Sequence, residues 1–317
     1  MTNFYWPVYK SLEQEFVNIS NIVHIDDKQN SVYSVKIAEL LLRCVVEIES
    51  ISKDLFLKHG GKQSEDGGNL YFDTDCIAFL DSKWLLSEKK VIVSSANIYF
   101  KNAENKELFP LKKAKNRGSS GSDWAKAYQA VKHDRVKHID KANVKHLIRA
   151  LAALYILNIY YKDEVFNLIN SKDTDFSSNW SSLFDINIHS WNGNGRCGYI
   201  KNENFDECIY LIKFTSRYNE EFETWNTEQG KIAMSNILRH PKVIEDINKK
   251  LFKDGAIDQE KLDSYFINRE WLNQLDIRNE YDQITIAAMD EASKKTGFNF
   301  QKRNPEFEAV LNKNQSI

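Results

Sequence analysis

The stretch Leu147–Tyr161, LIRALAALYILNIYY, constrains the fold more than any other part of the chain. Read as a helix from Ala142 to about Asn167, it carries apolar side chains around most of its circumference, not along one stripe. Such a helix has little to offer water and is predicted to sit centrally among others. The apolar run is shorter than the ~20 residues that cross a bilayer, so it reads as a core helix and no membrane partner is expected. Met1–Tyr9 lacks the charged and apolar segments of a signal peptide.

Other segments suit that packing. Residues 10–25 read as a short amphipathic helix. Asn30 and Ser31 offer caps for a longer one, in which Tyr33, Ile37, Leu40, Leu41, Cys44, Val45, Ile48, Ile51 and Leu55 recur every three or four residues. His59-Gly60-Gly61 supplies its stop. With only 4 Pro and 12 Gly in 317 residues, a turn-rich all-β fold is disfavoured. The predicted class is mostly α with a small β element. A helical bundle spans residues 1–172, with a hairpin inserted at about 90–112 (Val91–Phe100 returning through Glu107–Leu111). The polar 168–182 stretch marks the boundary to a C-terminal region, 173–317, of mixed α/β or α type. Strands are expected at Ile186–Ile188 and Cys208–Phe214, a turn at Asn192–Gly195, helices at 227–238, 241–252, 259–267 and 280–295, and a disordered last dozen residues.

The formal net charge of -2 provides no global polycation, so an anionic partner would have to meet a local patch. Lys112–Arg149 is such a segment. Its cations include Lys112, Lys113, Lys115, Arg117, Lys126, Lys132, Arg135, Lys137, Lys141, Lys145 and Arg149, against Asp123, Asp134 and Asp140. His133, His138 and His146 lie among them. A basic loop followed by a basic helix is the footprint of phosphate-backbone contact, and equally of a solvated helix face. A helix from Asp123 to about His138 would align Trp124, Ala127, Tyr128, Val131, Arg135 and His138 on one stripe, leaving Arg135 and His138 partly buried. Lys132 borders the stripe, and His133 points about 100° away from it. On the first long helix Glu47 flanks the apolar face, and it is predicted to pair with Lys132 or Arg135. Glu49 and Lys53, four apart, read as a surface pair.

Cys44, Cys76, Cys197 and Cys208 show no C-x2-C spacing, which predicts reduced thiols and a cytoplasmic location. No phosphate loop, dinucleotide fingerprint, H-E-x-x-H, EF-hand or G-x-S-x-G motif occurs, so neither a cofactor nor a metal site is expected.

Trp124–His138, WAKAYQAVKHDRVKH, followed by ANVKHLIRALAALYIL, resembles HEPN-domain proteins of the prokaryotic defence and abortive-infection type. The similarity is to a subgroup with a W-x-x-Y-N-x-x-K-H-x-R helix before an Ala/Leu-rich helix. YSVKIAELLLRCVVEIESISKDL resembles that subgroup's first long helix with its E-x-E-S-x-x-K ending. The resemblance covers about residues 10–170, and 175–317 match nothing. It implies an up-and-down helical bundle that often pairs as a homodimer, and in many members a metal-independent ribonuclease. Active members usually carry Arg, then four to six residues, then His. Here the nearest approximations are Lys126 to His133 and Lys132 to His138, and Gln129 replaces the subgroup's Asn.

The leading expectation is therefore an endoribonuclease acting as a toxin or anti-phage effector. RNA cleavage by its own 2′-OH needs a proton acceptor, charge on the phosphorane and a proton donor. His133 is the candidate acid or base, Lys132 and Arg135 would stabilise the phosphorane, and Glu47 would orient a cation. Lys126, Lys137, His138 and Arg117 would hold the RNA. The alternative is a non-catalytic module that binds nucleic acid or a nucleotide, or dimerises, with a defence-system protein as a further partner.

Overall fold

The computed structural model describes residues 3–63, 69–112, 122–192, 199–253, 256–257, 259–269 and 271–315. The fold is mostly helical with small sheets. It divides into two compact units, Met1–Lys213 with Phe307–Ile317, and Phe214–Glu306. No described helix is long and apolar enough to cross a membrane.

In the first unit the helices are α1 (Tyr5–Ser20), α2 (Val35–Lys58), α3 (Ala78–Trp84), α4 (Ala103–Lys106), α5 (Asp123–His133), α6 (Arg135–His138) and α7 (Val144–Lys162). Helix α7 is central, as its all-round apolarity predicts. Every residue from Ala150 to Tyr160 is buried, and α1, α2 and α5 all pack on it. Its start is set by Asn143, whose side chain accepts from the His146 amide at 3.1 Å. Helix α2 starts later than expected. Ser34, not Asn30 or Ser31, caps it by accepting from the Ile37 amide at 3.2 Å. Gly60, at φ +91, lies just past its end, where a left-handed backbone suits glycine. A π-helical turn, Phe72–Ile77, leads into α3.

The expected hairpin forms as part of a larger sheet. Val91–Val93 pairs antiparallel with Glu107–Leu108 on one side and with Phe184–Ile186 on the other. Ile98–Tyr99 pairs instead with Ile25–Asp26, in parallel. A second sheet has the order Phe166–Leu168, Phe307–Leu311, Tyr210–Phe214, Ile188–His189. These pairings carry the chain of the first unit past 172, so the expected boundary at 172/173 falls inside it.

Polar contacts reinforce the point. Buried Glu13 on α1 accepts from the Tyr9 hydroxyl at 2.9 Å, from the Ser182 amide at 3.0 Å and from the Ser181 hydroxyl. The Tyr9 ring stacks on Tyr155 of α7, and Tyr155 stacks on Phe184. Nor is the C-terminal segment free. Buried Asn312 donates to the Phe205 and Cys208 carbonyls at 2.8 and 3.1 Å, and its own carbonyl accepts from the Tyr160 hydroxyl at 2.7 Å.

The second unit comprises α8 (Ser216–Leu238), α9 (Pro241–Leu251), α10 (Gln259–Asn268), α11 (Trp271–Gln274) and α12 (Arg278–Thr296). Helix α8 begins well before residue 227 because Thr215 caps it, accepting from the Tyr218 amide at 3.2 Å. Tyr218, Phe222 and Trp225 then form a core with Ala292 and Phe298. Ile237, Val243, Ile247, Trp271, Leu272 and Ile277 form another.

Candidate phosphate-binding site

The site is built on α5 and the turn that follows. Trp124, Ala127, Tyr128 and Val131 are buried, as their spacing predicts. The Trp124 indole donates to the Pro110 carbonyl at 2.7 Å, and Asp123 pairs with Arg149 of α7. The start of α5 is thereby fixed on both sides.

Its far end departs from the expected continuous helix. Asp134 takes φ -148 and ψ 85, and its carboxylate accepts from the Lys137 amide at 3.1 Å. A short acidic side chain that caps a new turn competes with helix continuation. The screw is interrupted after His133, and the apolar stripe stops at Val131. Arg135 is accordingly exposed, not partly buried, and Val136 beside it is 94% exposed. His138 is half-buried.

Lys132 is exposed, with its ammonium 5.2 Å from the centroid of the Tyr128 ring. Interaction with the Tyr128 hydroxyl, then the nearby charge of Glu49, raises the Lys132 pKa above its usual value. Burial, chiefly, raises that of Tyr128, with Glu49 adding to the effect and Lys132 opposing it. The carboxylate that these two residues sense is thus Glu49.

Glu47 does not make its expected contact. It is half-buried and lines a cleft of about 300 Å³ with Arg43, Val46, Tyr128 and Lys132, yet no ion pair joins it to Lys132 or Arg135. Arg43 pairs with Glu15 at 2.6 Å instead. Burial pushes the thiol of neighbouring Cys44 upward, and the Glu47 charge adds to that.

Glu49 and Lys53 make no ion pair either; both line a larger cleft, of about 610 Å³, together with Gln129 and Lys132. Glu49 reads as a surface residue in the sequence because Ser52, fully buried one turn later, is no part of the apolar pattern of α2. Counting Ser52 with Val45 and Ile48 would have brought Glu49 to the margin of that face.

Among the described residues, Lys126, Lys132, Arg135 and Lys137 are all exposed and have no carboxylate partner. His133 is exposed, and its ring makes no hydrogen bond to a described residue. His146 is different: its ring meets the Lys141 carbonyl at 2.6 Å, and burial above all lowers its pKa. The expected RNA-binding Arg117, most of the 112–122 loop, Cys197 and the Gly193–Gly195 part of the expected turn lie outside the described residues. Cys44, Cys76 and Cys208 are free and buried. No group of His, Cys, Asp and Glu among the described residues could hold a metal ion.

The structure therefore gathers Tyr128, Lys132 and Glu49, keeps Glu47 beside them without an ion pair, and turns Arg135 outward. In the resemblance noted above, Trp124 and Tyr128 also stand one residue further apart than the subgroup pattern has them. Compared with models of protein families, with curated proteins and with solved structures, the chain matches none.

Proposed function

We propose that the first unit binds RNA through the cations at the end of α5 and the turn after it. One observation carries this reading. Lys126, Lys132, Arg135 and Lys137 stand close together at the end of α5 and in the turn after it, all exposed and with no ion pair among the described residues. Exposed cations that make no ion pair within the unit are available to phosphates, whose contacts supply most of the sequence-independent affinity for nucleic acid. A chain of net charge -2 gains that affinity only where such a cluster stands together.

A second reading adds cleavage, and the place of His133 favours it. The imidazole lies between Lys132 and Arg135 in sequence, is exposed, and has no competing hydrogen bond among the described residues. An imidazole suits proton transfer to or from a 2′-OH, with adjacent cations stabilising the phosphorane. The second proton-transfer group would be His138 or, in a HEPN-like homodimer, His133 of the other copy. A toxin or anti-phage role in the cytoplasm, with a defence-system partner, belongs to this reading.

Fluorescence anisotropy with a labelled single-stranded RNA at low salt tests binding. Wild-type protein binds, and replacing Lys126, Lys132, Arg135 and Lys137 together by Ala removes binding without lowering the melting temperature. Wild-type affinity in the variant, or none in wild type, would sink the reading. Incubation with total RNA in EDTA beside His133→Ala tests cleavage. Fragments with wild type and none with the variant support the enzyme, and intact RNA in both leaves a binding module.

A further inference from the structure

We propose that the larger cleft beside Lys132 is a subsite for one unstacked guanine base of an RNA strand. The proposal rests on the RNA reading above and gives it a sequence preference. The cleft has a volume of about 610 Å³ and is lined by residues of α2 and α5, by Gln63, and by residues 69–73, which lead into the π-helical turn and begin it, so that Asp73 adds a second carboxylate to the lining. That is within the usual range for small-ligand pockets.

Tyr71 supplies a stacking surface. Its side chain lines the cleft, the residue is 61% exposed, and no described aromatic ring covers it. Its backbone is nevertheless held at several points. The Tyr71 amide donates to the Asp75 carboxylate at 2.8 Å, and its carbonyl accepts from the Asp75 and Cys76 amides at 3.0 and 3.2 Å. The Cys76 bond is the five-residue step of a π-turn, a distortion common at functional sites. An aromatic ring on a fixed backbone and open on one face is what single-stranded RNA recognition uses for an unstacked base. Leu57 of α2, 52% exposed, adds an apolar wall.

Glu49 sets the choice of base. Its half-buried carboxylate faces the Tyr128 hydroxyl and makes no ion pair with Lys53 or Lys132. A carboxylate offers about four acceptor positions, so one hydroxyl leaves most of them open. Guanine presents adjacent N1–H and N2–H donors that match both carboxylate oxygens. The Watson–Crick edge of uracil places carbonyls on either side of its one N–H and repels a carboxylate. That of adenine sets its amino group beside an acceptor nitrogen. Lys53 and Lys132, from different helices, flank Glu49 and are placed to take the phosphates on either side of the bound base.

The test uses the full chain and the labelled hexanucleotides UUUGUU and UUUUUU at low salt, read by anisotropy. Wild type binds the guanine-containing strand about tenfold or more tightly, the scale of one bidentate base contact. Glu49→Gln keeps the shape and removes that preference, and it binds UUUUUU no more weakly than wild type does, since an anion has left the patch. Tyr71→Ala loses about tenfold for UUUGUU, while Tyr71→Phe retains wild-type affinity because the ring does the stacking. GMP, titrated alongside, binds more weakly than the strand, since further phosphates engage the cations beyond the cleft. GMP binding as tight as the strand would make this a free-nucleotide site and overturn the strand assignment. Equal affinity of wild type for both hexanucleotides, or an unchanged Tyr71→Ala, overturns the subsite while leaving the RNA reading intact. If neither hexanucleotide binds, the RNA reading falls and the subsite falls with it.

Discussion

Helices α7 and α5 lie against each other and follow the same helical periodicity, yet they end differently. Helix α7 keeps its screw and buries every side chain from Ala150 to Tyr160. Helix α5 buries one stripe, from Trp124 to Val131, and then loses its phase at Asp134. The difference shows that apolar spacing predicts burial only while the backbone holds its rotation. One capping aspartate turns Arg135 from a core-margin residue into an exposed one, and the end of the helix becomes a surface of unpaired cations.

The comparison can be broken first in the interior. Leu154→Ala removes a fully buried side chain from the middle of α7. It should cost about 2–5 kcal/mol in urea unfolding, because the packed surroundings relax only partly into the cavity. A cost below about 0.5 kcal/mol, the scale of surface positions, would mean that α7 is not the centre of the unit.

A buried cation sharpens the contrast with the exposed ones. Lys89 is fully buried, donates to the Asp206 carbonyl at 2.8 Å, and is pushed by burial down to about 8 from an ordinary 10.5. Below pH 8 it is charged in both folded and unfolded chains, and the full desolvation cost opposes folding. As pH rises from about 8 to 10.5, the folded state releases its proton before the unfolded state does. The unfolded chain then binds more protons, so this residue's contribution to stability rises with pH. Between pH 7 and 9.5 the gain relative to Lys89→Met should be on the order of 1–2 kcal/mol by denaturant titration. Parallel pH curves for the two proteins would contradict the burial of a charged Lys89.

The break itself is tested by Asp134→Ala, which loses the cap on the Lys137 amide and should lower stability by about 1 kcal/mol. Asp134→Asn keeps a capping oxygen and should hold wild-type stability while binding RNA somewhat more tightly, since an anion has left the patch. Equal stability of the Ala and Asn variants would show that the cap does not set the break. The smallest stability effects belong to Lys126→Ala and Lys137→Ala, each within about 0.5 kcal/mol of wild type. Each should still weaken RNA binding severalfold, and a measurable loss of stability would mean that these side chains have internal partners after all.

What the sequence made legible follows from locality. Helices α2 and α7 and the buried face of α5 rest on spacings within one segment, and those were readable. Phe307–Leu311 was not. Its alternation of Phe307, Ala309 and Leu311 inward is a strand signal, but it pairs with Phe166–Leu168, far away in sequence. The same long-range pairing moved the boundary beyond 172. The first turns of α8 carry Tyr218, Phe222 and Trp225 at helical spacing, a signal hidden by its closeness to the preceding strand. Within the site, the spacing points His133 away from the buried stripe, where the structure has it exposed; Lys132, read at the border of that stripe, is exposed as well. The exposure of Arg135 is not legible in the sequence, because the break at Asp134 leaves the apolar spacing before it unchanged. Glu47 stands out over Glu49 in the sequence because a buried serine, Ser52, gives no apolar signal.

The central claim is that the cations at the end of α5 bind phosphates, and the salt dependence of RNA affinity tests it most directly. For single strands, log K against log salt falls with a slope of about -0.7 for each phosphate neutralised. Wild type should give about -2 to -3, as about three or four contacts would. Any residual binding by the variant with Lys126, Lys132, Arg135 and Lys137 replaced by Ala should show a slope no steeper than about -0.7, the one contact left to Lys53, at unchanged melting temperature. A wild-type slope near zero, or the same steep slope in the folded variant, would contradict the account.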